Sequence, residues 1–99
     1  MRMRQIEEIR KTLKNHKESL KDEYGLTEIG LFGSYVRGTQ KESSDIDILV
    51  GFRRAVGLIA FVHLKNRLTE LLGIRVDMVM KKALKPKIGK TILDEVVYL

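Results

Sequence analysis

The 99-residue sequence predicts one small α/β domain of the α+β type, spanning residues 1–99, and three features of its pattern indicate this class. Two long stretches repeat apolar residues at intervals of three and four, as amphipathic helices do. Three shorter runs are apolar or alternate apolar with polar residues, which is typical of strands. Glycines stand between several of these segments, where helices commonly end and chains turn.

The predicted elements alternate between helices and strands along the chain. In order they are a helix (2–24), a strand (26–32), a polar loop (39–44), a strand (45–50), a turn (51–57), a helix (57–72), a strand (74–80), a loop (81–85) and a short helix from Pro86. Gly25 and Gly73 are well placed to end the two long helices, and proline suits the first turn of a helix. The last four residues, 96–99, form either a helix end or a short closing strand.

The stretch 31–50, LFGSYVRGTQKESSDIDILV, carries the first chemical signal, a pair of carboxylates. Side chains alternate faces along a strand, so Asp45 and Asp47 are expected on one face, roughly 6.5–7 Å apart at Cα. Two like charges so close repel each other unless a cation lies between them. Hard oxygen ligands favour Mg²⁺, and such a pair can share one or two ions. The spacing therefore predicts a divalent metal site.

The same stretch contains a candidate phosphate site at Gly33 and Ser34. A glycine directly after a strand lets the backbone approach a bulky anion closely. Ser34 is a good N-cap for a short helix, and the free N–H groups of a first turn attract anions. Arg37, one turn further on, is expected either to face the phosphates or to brace the acidic strand.

Asp77 is the candidate for a third carboxylate. It lies in the middle of the apolar strand 74–80, where a buried charge is costly unless it is paired, protonated or metal-bound. If this strand lies beside the second one, the side chain joins the site. The alternative is an exposed edge position or a salt bridge with Arg37 or Arg75.

Each of these features has an ordinary explanation when taken alone. Gly-Ser is a common turn, Asp-x-Asp occurs in many loops, and an arginine such as Arg37 is often simply solvated. Together, with Gly-Ser ending one strand and Asp-x-Asp opening the next, they favour a nucleotide and metal site.

Composition narrows the function classes. The net charge of +6 is spread along the chain, so direct RNA binding is possible but is not favoured over a generally basic surface. The absence of cysteine excludes disulfides and thiolate metal sites and fits a cytoplasmic location. No apolar run approaches the ~20 residues that span a bilayer, and the N-terminus lacks a secretory signal, so no membrane role is expected.

The motif Gly33-Ser34-Tyr35-Val36-Arg37-Gly38, followed by Ser44-Asp45-Ile46-Asp47, resembles the signature of the nucleotidyltransferase superfamily related to DNA polymerase β. More narrowly it resembles the minimal nucleotidyltransferases (MNT), the antitoxin partners of HEPN-domain toxins. The segments 71–79, 83–86 and 92–96 also look like parts of that family, so the resemblance covers nearly the whole chain. One departure is Val36, where the family usually has a small residue. The family implies a small mixed β-sheet with helices packed mainly on one side.

The resemblance also implies an activity, the Mg²⁺-dependent transfer of AMP from ATP to a hydroxyl, expected to be a tyrosine of a partner HEPN ribonuclease toxin. By position, Gly33 and Ser34 would hold the β- and γ-phosphates. Asp45 and Asp47 would bind two Mg²⁺ ions, and Asp77 would bind the catalytic ion and help to deprotonate the acceptor.

Two other functions stay open at the level of sequence. The chain could be a binding module that inhibits its partner by contact alone, in which Asp45, Asp47 and Asp77 catalyse no transfer. It could also be a free-standing nucleotidyltransferase acting on a small molecule or an RNA end, although the short chain leaves little room for an acceptor domain.

Overall fold

The computed structural model describes residues 6–99, and its elements follow the predicted alternation. They are α1 (Ile6–Tyr24), β1 (Leu26–Phe32), α2 (Ser34–Arg37), β2 (Ile46–Phe52), α3 (Leu58–Leu72), β3 (Val76–Met80), a 3₁₀ turn (Lys81–Ala83), α4 (Pro86–Glu95) and β4 (Val97–Tyr98). The part of the first predicted helix over 2–5 lies outside the described residues. Among the described residues, no helix has the length and apolar character needed to cross a membrane.

The four strands form one mixed sheet in the order β3-β2-β1-β4. β1 is antiparallel to both β2 and β4, whereas β2 and β3 run parallel. The parallel pair needs a crossover, and the helix α3 supplies it. The last residues therefore form the short closing strand that was one of the two predicted alternatives, and the mixed sheet predicted from the family resemblance is confirmed.

Helices α1 and α3 pack together over one face of the sheet. Their buried side chains share one core with the inward residues of the strands; these core residues are Ile9, Leu13, Leu20, Leu64, Leu68 and Leu72 from the helices and Ile29, Leu31, Ile46, Ile48, Val50, Val76 and Met78 from the strands. Because β2 alternates, the residues between Ile46, Ile48 and Val50 point to the other face. Asp47 is one of them, so the core holds the strand that carries the candidate site.

Gly25 ends α1 as the sequence predicts. Its φ of 70° is left-handed, and its N–H donates to the carbonyl of Lys21 over 2.8 Å. A glycine adopts this conformation without the cost that a Cβ would bring. The chain then turns directly into β1.

Some element boundaries differ from the predictions. β2 starts at Ile46 and continues through Gly51 and Phe52, which were predicted to form a turn, because these residues still pair with the beginning of β1. The prediction of Ser34 as an N-cap is wrong. Gly33 occupies that position and Ser34 is the first helical residue, since the chain already turns at Gly33.

Candidate active site

Asp47 and Asp77 lie side by side on neighbouring strands. The parallel register of β2 and β3 pairs Ile46 with Val76, Asp47 with Asp77 and Ile48 with Met78. Both aspartates therefore point to the face opposite the core formed with α1 and α3. The condition set at the level of sequence, that the third strand must lie beside the second, is met.

Burial, together with neighbouring acidic groups, raises the pKa of Asp47. Partial burial raises the pKa of its carboxyl to about 6, and the charge of Asp77, a hydrogen bond with Asp77 and the charge of Asp45 act in the same direction. The positive charge of Arg37 opposes them. Acidic groups thus outweigh basic ones around Asp47, and a bound cation would remove this imbalance.

Asp45 has a different partner in this structure. Its Oδ1 accepts a hydrogen bond from Nε of Arg75 over 2.9 Å, and the arginine side chain is 77% exposed. The register explains the contact, because Asp45 and Arg75 each stand two residues before the pair formed by Asp47 and Asp77. Within residues 6–99, no three acidic or histidine side chains form a complete metal-binding group. Of the three predicted carboxylates, those of Asp47 and Asp77 thus lie side by side, whereas that of Asp45 is paired with Arg75.

Gly33 closes the other side of the site. It follows β1 with φ 82° and ψ −157°, and a Cβ atom at this position would overlap Oδ2 of Asp47. The backbone therefore approaches the carboxylate more closely than any other residue type would allow. Ser34 follows as the half-buried first residue of α2.

Arg37 contacts an acidic residue from the far end of the chain. Its Nη1 donates to Oε1 of Glu95 over 2.7 Å, and the backbone N–H of Gly33 donates to Oε2 of the same carboxylate over 3.0 Å. Glu95 cannot be picked out from the sequence, because 62 residues separate it from Gly33 and no local pattern distinguishes it. Only the position of α4 beside the end of β1 brings these groups together.

The donor set fits a divalent cation. Asp47 and Asp77 offer adjacent hard oxygen ligands. Burial and the charges of Asp77 and Asp45 raise the pKa of Asp47, so a cation bound there would stabilise its ionised carboxylate. Asp45 is close enough for its charge to act on Asp47. Its carboxylate is held by an exposed ion pair with Arg75. Such pairs contribute at most ~1 kcal/mol, so exchanging Arg75 for a metal ion costs little.

Comparison with known proteins gives consistent results. A family model described as nucleotidyltransferase domain matches residues 13–99. Protein adenylyltransferase MntA from Thermococcus cleftensis is 52% identical over 99 residues, covering 100% of both chains. All the candidate site residues lie inside these matches.

Two solved structures are similar in fold. One, assigned to the minimal nucleotidyltransferases, superposes with a TM-score of 0.83 at 33% identity over 100% of both chains. The other is a crystal structure of a toxin–antitoxin with AMP-PNP. There the TM-score is 0.72 at 30% identity, covering 86% of this chain and 70% of that chain.

Proposed function

The chain belongs to the nucleotidyltransferase domain family, and from this premise we propose that it is an antitoxin enzyme that transfers AMP from ATP to a hydroxyl group of a partner toxin. The observation that carries the proposal is the pairing of Asp47 with Asp77 beside the turn at Gly33. Transfer of a nucleotidyl group needs charge neutralisation and positioning more than covalent chemistry, and this arrangement offers both.

The proposed reaction gives each site residue a separate role in binding metal, binding phosphate or transferring a proton. Asp45 and Asp47 would hold two Mg²⁺ ions and Asp77 would hold the catalytic one; the bound metal would neutralise charge on the phosphates. Gly33 and Ser34 contact the β- and γ-phosphates. The acceptor oxygen forms a bond to the α-phosphorus while the bond from that phosphorus to the bridging oxygen breaks and pyrophosphate leaves. Asp77 takes the proton of the acceptor hydroxyl.

The partner we propose is a HEPN-domain ribonuclease toxin, with a tyrosine hydroxyl as acceptor and the cytoplasm as the location. Support comes from the resemblance of the 33–47 motif to the minimal nucleotidyltransferases and from the similarity to a chain of a toxin–antitoxin structure. The named activity of the MntA relative, a protein adenylyltransferase, agrees with a protein acceptor.

Labelled ATP tests this function. The purified protein is incubated with Mg²⁺ and ATP labelled at the α-phosphate, with and without the product of the neighbouring gene. We expect label on the partner only when both proteins are present, together with loss of the partner's ribonuclease activity. A stable complex that blocks the partner while no protein carries label would replace the proposal with inhibition by contact. Label on a small molecule or RNA in the absence of the partner would replace the proposed acceptor.

A further inference from the structure

Glu95 joins two of the three residues that the sequence selects for nucleotide binding. One oxygen of its carboxylate accepts the N–H of Gly33 over 3.0 Å, and the other accepts Nη1 of Arg37 over 2.7 Å. The Glu95 side chain is only 17% exposed, whereas that of Arg37 is 54% exposed. The glutamate is therefore the more buried group of the pair, and its carboxylate holds the exposed arginine by an ion pair.

The backbone around Glu95 is attached to β1. α4 ends at Glu95, and the N–H of Val96 still donates to the carbonyl of Ile92 over 2.9 Å. β4 then pairs with β1 through Gly30 and Leu31, and the N–H of Leu99 donates to the carbonyl of Ile29 over 3.0 Å. The carboxylate is thus anchored to the strand that leads directly into Gly33.

Close packing fixes this attachment further. A Cβ atom at Gly30 would lie 2.6 Å from Cγ2 of Val96, so the residue after Glu95 lies directly on the β1 backbone. Small movements of α4 would consequently be transmitted to the turn at Gly33. Gly33 itself lies against Oδ2 of Asp47.

We propose that Glu95 is a positioning residue for nucleotide binding, which holds the turn at Gly33 against Asp47 and orients Arg37 toward the phosphates. This inference rests on the proposed function, since it concerns the nucleotide site of that reaction. Glu95 acts through Gly33 and Arg37, the two residues to which its carboxylate is hydrogen-bonded.

The electrostatics of the contact agree with this role. Burial opposes ionisation of Glu95, but the hydrogen bonds from Gly33 and Arg37 outweigh it and hold the pKa of the carboxyl below its usual value. Hydrogen bonds to an ionised group are the stronger kind. The charge of Arg37, held in this way, also reaches Asp47, where it favours the ionised carboxylate that a metal ion needs.

A different role for Glu95 would change nucleotide affinity in the opposite direction. If the carboxylate merely occupied the place of a phosphate group, ATP would have to displace it, and its removal would tighten nucleotide binding. If it positions the turn and the arginine, its removal weakens binding. The direction of the change in affinity therefore decides between the two.

The test compares Glu95→Gln with Asp94→Asn, which makes the same charge change at the exposed neighbouring residue of α4. The dissociation constant of Mg²⁺–AMP-PNP is measured by calorimetry. Loss of charge-assisted hydrogen bonds to Glu95 predicts about tenfold weaker binding for Glu95→Gln and no change for Asp94→Asn.

In AMP transfer by Glu95→Gln, the KM for ATP should rise about tenfold while kcat at saturating ATP stays within about twofold. A merely structural defect would instead reduce the amount of active protein and lower kcat.

Arg37→Ala provides a second variant at an exposed position, should Glu95→Gln not fold. It should weaken binding by a similar factor, and the double variant should bind no more weakly than either single variant, because the two residues act as a unit. Unchanged or tighter nucleotide binding in both single variants would overturn the proposal. Binding is measured without a partner protein, so a protein that binds nucleotide in this way but labels no partner would refute the proposed function alone.

Discussion

Gly33 lies directly against the carboxylate of Asp47, and this contact ties the candidate phosphate turn to the candidate metal ligand. A Cβ atom at position 33 would overlap Oδ2 of Asp47. The backbone angles of Gly33, φ 82° and ψ −157°, lie in a region that only glycine commonly occupies. Position 33 therefore requires glycine for two independent reasons, and both come from the geometry of the site.

Gly33→Ala should destabilise the fold and abolish nucleotide binding. The backbone strain alone costs about 1–3 kcal/mol, and the overlap with Asp47 adds to it. The matched control is Gly25→Ala, where φ is also positive at 70° but nothing lies within 4 Å of the added Cβ. Urea denaturation should show a smaller loss for the control, which should still bind Mg²⁺–AMP-PNP normally. Equal losses of stability and normal nucleotide binding in both variants would contradict the contact with Asp47.

Asp47→Asn should lower AMP transfer by at least about 100-fold, because a metal ligand that neutralises phosphate charge is lost. Without metal the variant should be as stable as the wild-type protein or more stable, since it removes a partly buried charge and the repulsion of that charge by Asp77 and Asp45. Asp94→Asn provides the control for the charge change. The intact mass of the partner measures AMP transfer, and thermal melting in EDTA measures the metal-free stability. Transfer at the wild-type rate would refute the assignment of Asp47.

The pKa of Asp47 predicts how metal-free stability depends on pH. The pKa of about 6 in the folded state lies above the ordinary value of 3.8, so between these pH values the folded state binds more protons than the unfolded state. The contribution of this group to the free energy of unfolding is therefore largest below about pH 4 and falls as pH rises through about 6.

Urea denaturation in EDTA across this pH range measures the effect. Asp47→Asn should remove the part of the pH dependence that Asp47 causes, and Mg²⁺ should restore stability to the wild-type protein above about pH 6, since the ion binds the ionised carboxylate. Identical pH dependences for the wild-type protein and the variant would show that Asp47 does not titrate in this window.

Arg75→Gln should tighten the binding of divalent cations a few-fold while changing stability by less than ~1 kcal/mol. Arg75 donates to Asp45 over 2.9 Å from a largely exposed position, so its loss frees a carboxylate at little structural cost. Arg67→Gln removes the same charge from the exposed ion pair with Glu23 and serves as the control. Calorimetric titration with Mn²⁺ compares the variants. Weaker Mn²⁺ binding in Arg75→Gln would mean that Arg75 supports the site.

The sequence predicts the chain order of the elements and the placement of Asp47 and Asp77 because these follow from local patterns. Alternation places Asp47 on the face away from the core, and an aspartate within an apolar strand requires a partner. The direct pairing of Asp47 with Asp77 depended on strand order, which the pattern does not contain. The family resemblance supplied that information by placing Asp77 in the same site as Asp45 and Asp47.

The contacts of Arg37 and Asp45 could not be read from the sequence. Arg37 was expected to face phosphates or brace the acidic strand, and it contacts Glu95, which is 58 residues further along the chain. Asp45 pairs with Arg75 because the register of two parallel strands aligns them, and register is a property of the assembled sheet. Long-range contacts between charged residues are weakly encoded by local spacing, so the assignment of the three carboxylates to metal ions stays a prediction.

The most direct test of the account is a crystal structure of the protein with Mn²⁺ and AMP-PNP, with the metal located by anomalous scattering. We expect an anomalous peak between the carboxylates of Asp47 and Asp77, with Asp45 turned from Arg75 toward the metal and the β- and γ-phosphates at Gly33 and Ser34. A nucleotide bound elsewhere, or phosphates at this turn with no metal at Asp47 and Asp77, would contradict it.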